Sequence, residues 1–430
     1  MCVEVIERTV AAEKAFLPGS KMTTQSLEQL SMRILFVHER FGALGGAEAN
    51  ILLTAGELRR QGHSVAVLHG AGTGRCEAQW CEVFSSCFPL EKRASFDSVQ
   101  SALWDFEPDV IYVHKMPDLR VMEILLASGI PVVRMVHDHD LYCMRSYKYN
   151  FLTRQICRRA ASAYCVFGCG AFLARNREGK FPFKWVSYFA KRKEIRLNQK
   201  CARMIVATQY MRGEIVRNGF DPERIDVLAP VPRPSDTTIQ STFSDRNLLL
   251  FAGQIIRGKG VDVLLESLAR VKVPFECIIL GDGSHRSYCE QLSGELGLES
   301  KVHFKGFVPQ SEIKEYYHEA SAVVLSSVWP EPFGAIGLEG MRYGLPVIAF
   351  DAGGIKEWLI DGHNGWLVPW MNKDAFAARI EHLLQDKEAA RKMGENARKL
   401  ASSQFDFSHY ISGLESVLER VVATRERAAV

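Results

Sequence analysis

The sequence of 430 residues has no long apolar run and almost no excess of charge of either sign. No window reaches the roughly 18 uninterrupted apolar residues of a transmembrane helix, so we predict none. The net charge of +3 gives no general signal for nucleic-acid binding. Residues 1–31 lack the apolar core and cleavage site of a signal peptide. We therefore expect a cytoplasmic protein with a poorly ordered N-terminal extension that has no catalytic role.

The eleven cysteines include no Cys-x-x-Cys pair, the usual signature of a zinc knuckle. Without a secretion signal, they favour reduced thiols. Four of the cysteines cluster in the sequence: Cys143, Cys157, Cys165 and Cys169. They form either a structural zinc site or a cysteine-rich loop with free thiols. Apart from that zinc alternative, we predict no metal site.

Strand and helix signals alternate in both halves of the chain, which predicts an α/β fold with mainly parallel sheets. A composition of 47% hydrophobic and 24% charged residues is typical of a globular protein, and the length suits two domains. A proline-rich segment at 229–245 reads as a linker. It separates an N-terminal domain, 32–228, from a C-terminal domain, 246–407, which is followed by a helix at 408–430. We expect 204–207 to be the last strand of the first sheet.

Two carboxylates stand eight positions apart, at Glu331 and Glu339. Apolar runs at 322–325 and 345–350 read as buried strands on either side. This spacing places Glu331 in the loop that leaves a strand and Glu339 in the next helix, where parallel sheets bind ligands. Carboxylates accept hydrogen bonds and suit a sugar or ribose, and a helix N-terminus suits a phosphate. Together these features predict a nucleotide-sugar site.

Three further loops follow apolar strands in the second half. The loop from Gly253 to Gly260 carries Arg257 and Lys259, cations that suit phosphate. The second loop, Gly281-Asp282-Gly283, lets backbone approach a ligand closely. The third contains Val308, whose backbone we expect to meet a nucleobase edge. Each loop alone is also compatible with an ordinary turn, but four loops in this order favour a binding site.

The second half resembles the donor-binding domain of the retaining glycosyltransferases of family 4, which have the GT-B fold. The motifs that carry the resemblance are Gly253–Gly260, Gly281–Gly283, Gly306–Val308, Pro330–Glu339, Met341–Ile348 and Gly353-Gly354. In the first half, Gly45–Glu48 and His137-Asp138 match as well, so the similarity covers about residues 32–425. It implies two Rossmann-like domains that face each other across a cleft, with the C-terminal helix crossing back to the N-terminal domain.

The resemblance also implies roles for the donor-site residues. Lys259 holds the diphosphate, and Glu339 binds the ribose hydroxyls. Glu331 holds the transferred sugar together with the backbone of Phe333 and Gly334. The family often has Arg where this chain has Gln254, and a neutral amide does not replace a guanidinium. Arg257 in the same loop is then the candidate for the second cation.

For the acceptor side, the resemblance implies that Gly45 and Gly46 allow close approach to donor phosphate or acceptor. It puts His137 near the sugar, across the cleft from Lys259, with Asp138 beside it. His137, Lys259 and Glu331 are therefore the predicted catalytic residues. The Asp138-His139-Asp140 run looks like a metal-binding motif of a different glycosyltransferase fold, and we do not assign it that role. His137 is alternatively a satisfied core histidine.

The resemblance, together with the four loops, implies a retaining glycosyltransferase of hexosyltransferase type that acts in cell-surface polysaccharide or glycolipid synthesis. It transfers a sugar from a nucleotide-diphosphate sugar to a glycan or lipid-linked acceptor and requires no cofactor. The alternatives are a nucleotide-sugar epimerase of the same fold and a non-catalytic nucleotide-sugar-binding protein.

Residues 151–203 contain 13 Lys and Arg residues but only two acids, Glu178 and Glu194. Lys191-Arg192-Lys193 is the densest basic cluster, and aromatic residues are interleaved with the basic ones. Such a composition favours peripheral docking on the anionic inner face of a membrane, near a lipid-linked acceptor. The alternative is a solvated basic face beside an ordinary core. Nucleic-acid binding is not expected.

Overall fold

The computed structural model describes residues 31–43, 45–91, 95–150, 152–175, 183–231, 241–243 and 246–429. The predicted N-terminal extension, apart from Ser31, lies outside these residues. So does most of the predicted linker.

The described part of the first half contains nine strands and seven α-helices. The strands are β1 (Arg33–Phe41), β2 (Ser64–Gly72), β3 (Ser86–Pro89), β4 (Val110–Lys115), β5 (Val132–Val136), β6 (Leu173–Arg175), β7 (Phe183–Trp185), β8 (Arg203–Val206) and β9 (Ile225–Val227). The helices are α1 (Gly46–Arg60), α2 (Glu77–Val83), α3 (Ser95–Phe106), α4 (Leu119–Ala127), α5 (Ala163–Phe167), α6 (Tyr188–Asn198) and α7 (Gln209–Arg217).

The second half continues the alternation of strand and helix. Its strands are β10 (Leu248–Ala252), β11 (Glu276–Leu280), β12 (Val302–Gly306), β13 (Ala322–Leu325), β14 (Val347–Phe350) and β15 (Gly365–Val368). Its helices are α8 (Val261–Leu268), α9 (Arg286–Glu295), α10 (Gln310–Glu319), α11 (Ala335–Arg342), α12 (Lys373–Gln385), α13 (Lys387–Gln404) and α14 (Phe407–Ala429).

Two large sheets organise these elements. The first has the strand order β3-β2-β1-β4-β5-β8-β9, and the second has the order β12-β11-β10-β13-β14-β15. Neighbouring strands of the second sheet all run parallel, as do those from β3 to β5 in the first. Strands β6 and β7 form a small antiparallel pair. The predicted α/β class with parallel sheets is confirmed.

The chain forms two compact units. The first contains the described residues within Met1–Met135, Lys200–Met204 and Ile411–Val430; the second contains those within Val136–Gln199 and Ile205–Tyr410. In the first unit, Nε2 of His63 lies 2.9 Å from Oε1 of Glu415 on α14. The C-terminal helix thus returns to the strands and helices of the first half.

Apolar periodicity accounts for the core of the second unit. Helix α8 buries Val261, Leu264, Leu265 and Leu268, which share one face. They pack with apolar residues of β10, β11 and β13 in a single cluster. A fully buried aliphatic side chain of this size contributes about 1.5–3 kcal/mol, so this face fixes the helix against the sheet.

The prediction that 204–207 is the last strand of the first sheet is wrong. Strand β9 follows it and is an edge strand of the sheet. Only Ile225 of its three residues is buried, so no apolar run marks it in the sequence. Among the described residues, no helix has the length and apolar character needed to cross a bilayer.

Candidate functional site

The loop from Gly253 to Gly260 follows β10 and ends in a short 3-10 turn, Arg257–Lys259. Gly260 has φ +66° and precedes α8 directly. A Cβ atom at Gly260 would lie 2.1 Å from the carbonyl oxygen of Ser326, so this close backbone contact requires glycine. The amide of Val328 also donates to the carbonyl of Gly258 at 2.9 Å. The loop Gly253–Gly260, the lysine loop, is therefore held directly against the loop that follows β13.

Lys259 and Glu331 form an ion pair at the end of these two loops. The distance from Lys259 Nζ to Glu331 Oε1 is 2.6 Å. Trp329 Nε1 donates to the same oxygen at 2.9 Å, and the Ser327 hydroxyl donates to it as well. All three donors converge on Oε1, and no donor among the described residues reaches Oε2.

The burial of Glu331, only 4% exposed, would by itself raise the pKa of its carboxyl group. The charge of Lys259 and the hydrogen bonds from Lys259, Ser327 and Trp329 outweigh this effect, so the pKa lies below its usual value. Glu331 is therefore an ionised acceptor at neutral pH. The Lys259 side chain keeps 24% of its surface exposed and lies 5.2 Å from the centre of the Trp329 ring.

Ser327 and Trp329 are site residues that the sequence analysis missed. Both lie between the end of β13 and Glu331, where polar side chains meet at the carboxyl end of a parallel sheet. Their position directly after a predicted strand was the one feature of the sequence that could have identified them as site residues. The sequence could not show that both donors point to the oxygen that also receives Lys259.

Helix α11 starts after Gly334, which has φ +86°, and it places Glu339 in its second turn as predicted. Oε2 of the half-buried Glu339 accepts a hydrogen bond of 3.2 Å from the Tyr317 hydroxyl. Burial, and then the charge of Glu339, raise the pKa of Tyr317 well above its usual value. Tyr317 therefore stays a neutral donor that orients the carboxylate.

The other two predicted donor loops are linked to the lysine loop through backbone. The amide of Ile255 donates to the carbonyl of Asp282 at 2.9 Å, and that of Gly281 donates to Gly306 at 2.7 Å. Gly281 has φ +130°, and a Cβ there would lie 1.9 Å from the carbonyl oxygen of Gly253. Asp282 is exposed and its carboxylate accepts from the amide of Gly283 at 2.7 Å; Val308 is half-buried.

The segment with His137 and Asp138 follows β5 in the second unit. Both side chains are half-buried, and Oδ1 of Asp138 accepts from the amide of Asp140 at 2.8 Å. The next residue, His139, is fully buried and lies 2.7 Å from the carbonyl oxygen of Pro330. The segment therefore lies beside the loop of Glu331. The roles of His137 and Asp138 remain predictions.

Gly45 and Gly46 lie in the first unit, at the start of α1. Both are exposed, and a Cβ at Gly46 would have no described atom within 4 Å. The amide of Gly45 donates to Oε2 of the buried Glu48 at 2.9 Å, and His38 lies 3.2 Å from Oε1. Burial would raise the pKa of Glu48, but the His38 contact and backbone hydrogen bonds lower it. Glu48, matched earlier only as part of a motif, thus fixes this turn.

The four clustered cysteines are free thiols and half-buried. In the part of the chain that the structure describes, no three His, Cys, Asp or Glu side chains form a group that could hold a metal ion. The zinc alternative therefore gains no support.

Two family models match the chain and together span most of it. Glycosyltransferase Family 4 matches residues 44–231, and Glycosyl transferases group 1 matches residues 233–400. The match to the first half begins at the turn of Gly45 and Gly46. The match to the second half contains all four donor loops.

Several curated relatives of modest identity are named as glycosyltransferases. The uncharacterized glycosyltransferase MJ1607 of Methanocaldococcus jannaschii is 25% identical over 63% of this chain and 71% of its own length. The alpha-D-kanosaminyltransferase of Streptomyces kanamyceticus is 30% identical over 52% of this chain. The chain spans 61% of the length of that enzyme, which is less than two thirds.

Solved structures of similar fold include Alr3699/HepE of Anabaena in complex with UDP and glucose. It has a TM-score of 0.68 and 21% identity, covering 90% of this chain and 100% of the other. The same protein has also been crystallised with UDP-glucose. This likeness confirms the predicted fold, which is the GT-B fold of glycosyltransferases.

Proposed function

The chain belongs to glycosyltransferase family 4, and from this membership we propose that it is a retaining hexosyltransferase. Its donor is a nucleotide-diphosphate sugar, and its acceptor is a glycan or a lipid-linked glycan. A role in the synthesis of cell-surface polysaccharide or glycolipid fits such an acceptor. The kanosaminyltransferase relative supports glycosyl transfer, and the complexes of Alr3699/HepE with UDP and glucose and with UDP-glucose support UDP-glucose as the first donor to test.

The geometry around Glu331 is the single observation that carries this proposal. Oε1 is occupied by Lys259, Ser327 and Trp329, which leaves Oε2 to accept hydrogen bonds from sugar hydroxyls. Lys259 Nζ has one acceptor among the described residues, Glu331 Oε1, and retains two further N–H donors for phosphate oxygens. The Lys259–Glu331 contact thus places a hydrogen-bond acceptor for sugar hydroxyls beside a hydrogen-bond donor for phosphate oxygens.

Stabilisation of the leaving group follows from these charges. When the bond between the anomeric carbon and the diphosphate breaks, its electron pair leaves with the phosphate oxygen. Lys259 and Arg257 lie in one 3-10 turn and supply positive charge to this anion. The N-terminus of α11 after Gly334 adds the partial positive charge of a helix dipole. Glu339, oriented by Tyr317, binds the ribose hydroxyls.

The acceptor hydroxyl attacks the anomeric carbon on the face from which the diphosphate leaves and gives its proton to the departing phosphate oxygen, so the configuration is retained. His137 and Asp138 face the transferred sugar in this proposal, and Gly45 and Gly46 admit donor phosphate or acceptor. Gly281, Asp282, Gly283 and Val308 bind the nucleotide through their backbone. The proposal assigns charge stabilisation to side chains of this chain and needs no added cofactor.

The experiment that tests the function incubates the purified protein with a panel of nucleotide sugars, first UDP-glucose, with and without lipid extract. Release of nucleotide diphosphate only with extract, together with a labelled glycolipid product of retained configuration, is the expected result. An isomerised sugar without acceptor would instead support an epimerase. Binding of a nucleotide sugar with no turnover in either condition would support a non-catalytic binding protein.

We also propose that a surface within residues 151–203 docks on an anionic bilayer. Phe167, Trp185 and Phe189 are 87%, 79% and 81% exposed. The guanidinium of Arg159 lies 4.5 Å from the ring centre of Tyr164, and the side chains of Arg158 and Arg196 are exposed. Exposed aromatic rings among basic side chains suit the interface of an anionic membrane.

The structure changes which lysines can serve this surface. Lys191 is only 10% exposed, and its ammonium group donates to Glu194 at 2.6 Å and to the carbonyl of Asp140. The densest basic cluster of the sequence therefore does not act as a unit at a membrane. Phe181 and Glu178 of the same segment lie outside the described residues.

Substitution of Trp185 and Phe189 by Ser is expected to weaken sedimentation with phosphatidylserine-containing vesicles by about tenfold or more, because each ring loses apolar burial. Binding of the unsubstituted protein should fall as salt rises. Trp104→Ser is the matched control, because Trp104 is 83% exposed in the other unit. Equal loss with Trp104→Ser, or no preference for anionic over neutral vesicles, would contradict the docking proposal.

A further inference from the structure

Four consecutive carbonyl groups of the loop that contains Glu331 each accept a hydrogen bond. Pro330 accepts from His139 Nε2 at 2.7 Å, and Glu331 accepts from the amide of Gly354 at 2.8 Å. Pro332 accepts from the Thr208 hydroxyl at 2.8 Å, and Phe333 accepts from Trp358 Nε1 at 2.6 Å. Four separate donors, three of them side chains, hold these carbonyls, so the backbone around Glu331 has a defined position.

Two of these donors are themselves fixed by neighbouring groups. Thr208 caps α7, since its hydroxyl oxygen also accepts from the amide of Met211 at 3.2 Å. The first two amides of α7 donate to the carboxylate of Glu357, each at 2.7 Å. Trp358 is fully buried and follows that glutamate directly. The donors to the carbonyls that follow Glu331, Pro332 and Phe333, are therefore held in fixed positions.

His139 supplies the donor on the other side, and its surroundings determine its tautomer. A carbonyl oxygen only accepts, so the Nε2 atom facing Pro330 must carry the proton. Nδ1 lies 2.6 Å from the hydroxyl of Tyr142, whose single hydrogen faces both Nδ1 and the sulfur of Met211 at 3.3 Å; because a thioether is a weak acceptor, the hydroxyl donates to Nδ1. The neutral imidazole thus satisfies both contacts. Burial is the main cause that lowers the pKa of His139, which is consistent with a neutral ring.

We propose that His139 is a positioning residue for Glu331, an inference that rests on the proposed function of that carboxylate. By holding the carbonyl of Pro330, it fixes the peptide that precedes Glu331, while Gly354 holds the carbonyl of Glu331 and Thr208 that of Pro332. The carboxylate then presents Oε1 to Lys259, Ser327 and Trp329 and Oε2 to the transferred sugar. His139 touches neither the reacting atoms nor the phosphate.

This role predicts an effect on sugar transfer and not on nucleotide binding. His139→Leu removes the donor to Pro330 and is expected to lower kcat/KM for the nucleotide sugar by about ten- to a hundredfold, the size expected for a displacement of about 1 Å. The Kd of the free nucleotide diphosphate should change less than about twofold, because Lys259 and Glu339 are not held by His139. The loss should lie mainly in kcat.

A matched pair of variants keeps the test informative if His139→Leu folds poorly. In His139→Gln the amide nitrogen can reach the position of Nε2, so most of the activity should be recovered. In His139→Asn the shorter amide can bond Tyr142 but does not reach Pro330, so the activity should stay low. Melting temperatures and nucleotide diphosphate binding are measured for every variant.

Glu331→Gln, measured in parallel, separates this inference from the proposed function. Low activity of Glu331→Gln, His139→Leu and His139→Asn with recovery in His139→Gln supports both. If Glu331→Gln is impaired while all three His139 variants transfer sugar normally, the positioning role is wrong. A parallel loss of nucleotide diphosphate binding and turnover in the His139 variants would also overturn it, because a general structural role predicts that result. Full activity of Glu331→Gln would refute the proposed function itself.

Discussion

Replacing Lys259 with Met is expected to lower kcat/KM for the nucleotide sugar by about 10²- to 10³-fold, the usual effect of removing one donor from a developing anion. The ammonium group lies 2.6 Å from Glu331 Oε1, and its side chain is partly exposed. Met keeps roughly the length of the side chain but removes the charge, and with it the ion pair with Glu331 and the cation–π contact with the Trp329 ring. Steady-state kinetics with the donor found in the nucleotide-sugar panel measure the effect.

The same substitution leaves Glu331 buried without its cation. Burial then raises the pKa of the carboxyl group, and the loss of one partner of a buried pair destabilises the fold. The double variant Lys259→Met, Glu331→Gln removes both charges and should recover melting temperature without recovering activity. Activity of a folded Lys259→Met variant near that of the unsubstituted protein would contradict the assignment of the phosphate-binding cation.

Replacing Glu331 with Gln is expected to reduce kcat/KM by about 10- to 100-fold, because a hydrogen bond to a charged group is worth about 1.5–3 kcal/mol. The amide keeps one acceptor oxygen for Ser327 and Trp329 but loses the charge that pairs with Lys259. The loss should appear with the nucleotide sugar and not with the free nucleotide diphosphate. A variant with full activity would contradict the role of Glu331 in holding the sugar.

The acid side of the stability profile should change in the same variant. The folded pKa of Glu331 lies below the ordinary value of 4.5, so the ion pair adds to the free energy of unfolding above that value. This contribution is lost as the pH falls through the lower folded pKa. We expect urea unfolding between about pH 7 and about pH 3 to show that the free energies of unfolding of the unsubstituted protein and of Glu331→Gln differ less at the acid end. A constant difference would mean that the carboxylate is not stabilised by its partners.

Much of the fold could be predicted from the sequence because its elements have strong apolar periods. Strand Ala322–Leu325 occurs with the predicted bounds, and the C-terminal helix predicted at 408–430 occurs as Phe407–Ala429. Strand Ile225–Val227 was missed because three residues with one buried side chain leave no period to detect. Short edge strands of this kind depend on pairing with a neighbour and not on their own composition.

Site residues could be predicted where their chemistry and their spacing along the chain both indicate a ligand. They could not be predicted where contacts between distant parts of the sequence bring them together. Glu331 and Glu339 occupy the loop and helix that their spacing indicates. His139 lies 191 residues from Pro330 in the sequence, so no local pattern could join them. Lys191 shows the converse, since a run of basic residues in the sequence does not reveal that one of them is bonded internally.

The most direct test of the account is calorimetric titration of the nucleotide sugar into the unsubstituted protein and into the double variant Lys259→Met, Glu339→Gln. We expect the unsubstituted protein to bind the nucleotide sugar. We expect the double variant, shown to be folded by its melting curve, to bind it at least about 10²-fold more weakly, because the ammonium group that binds the phosphate and the carboxylate that binds the ribose are both lost. Equal affinity of the folded double variant would contradict the claim that this unit binds the donor through its acids and its lysine.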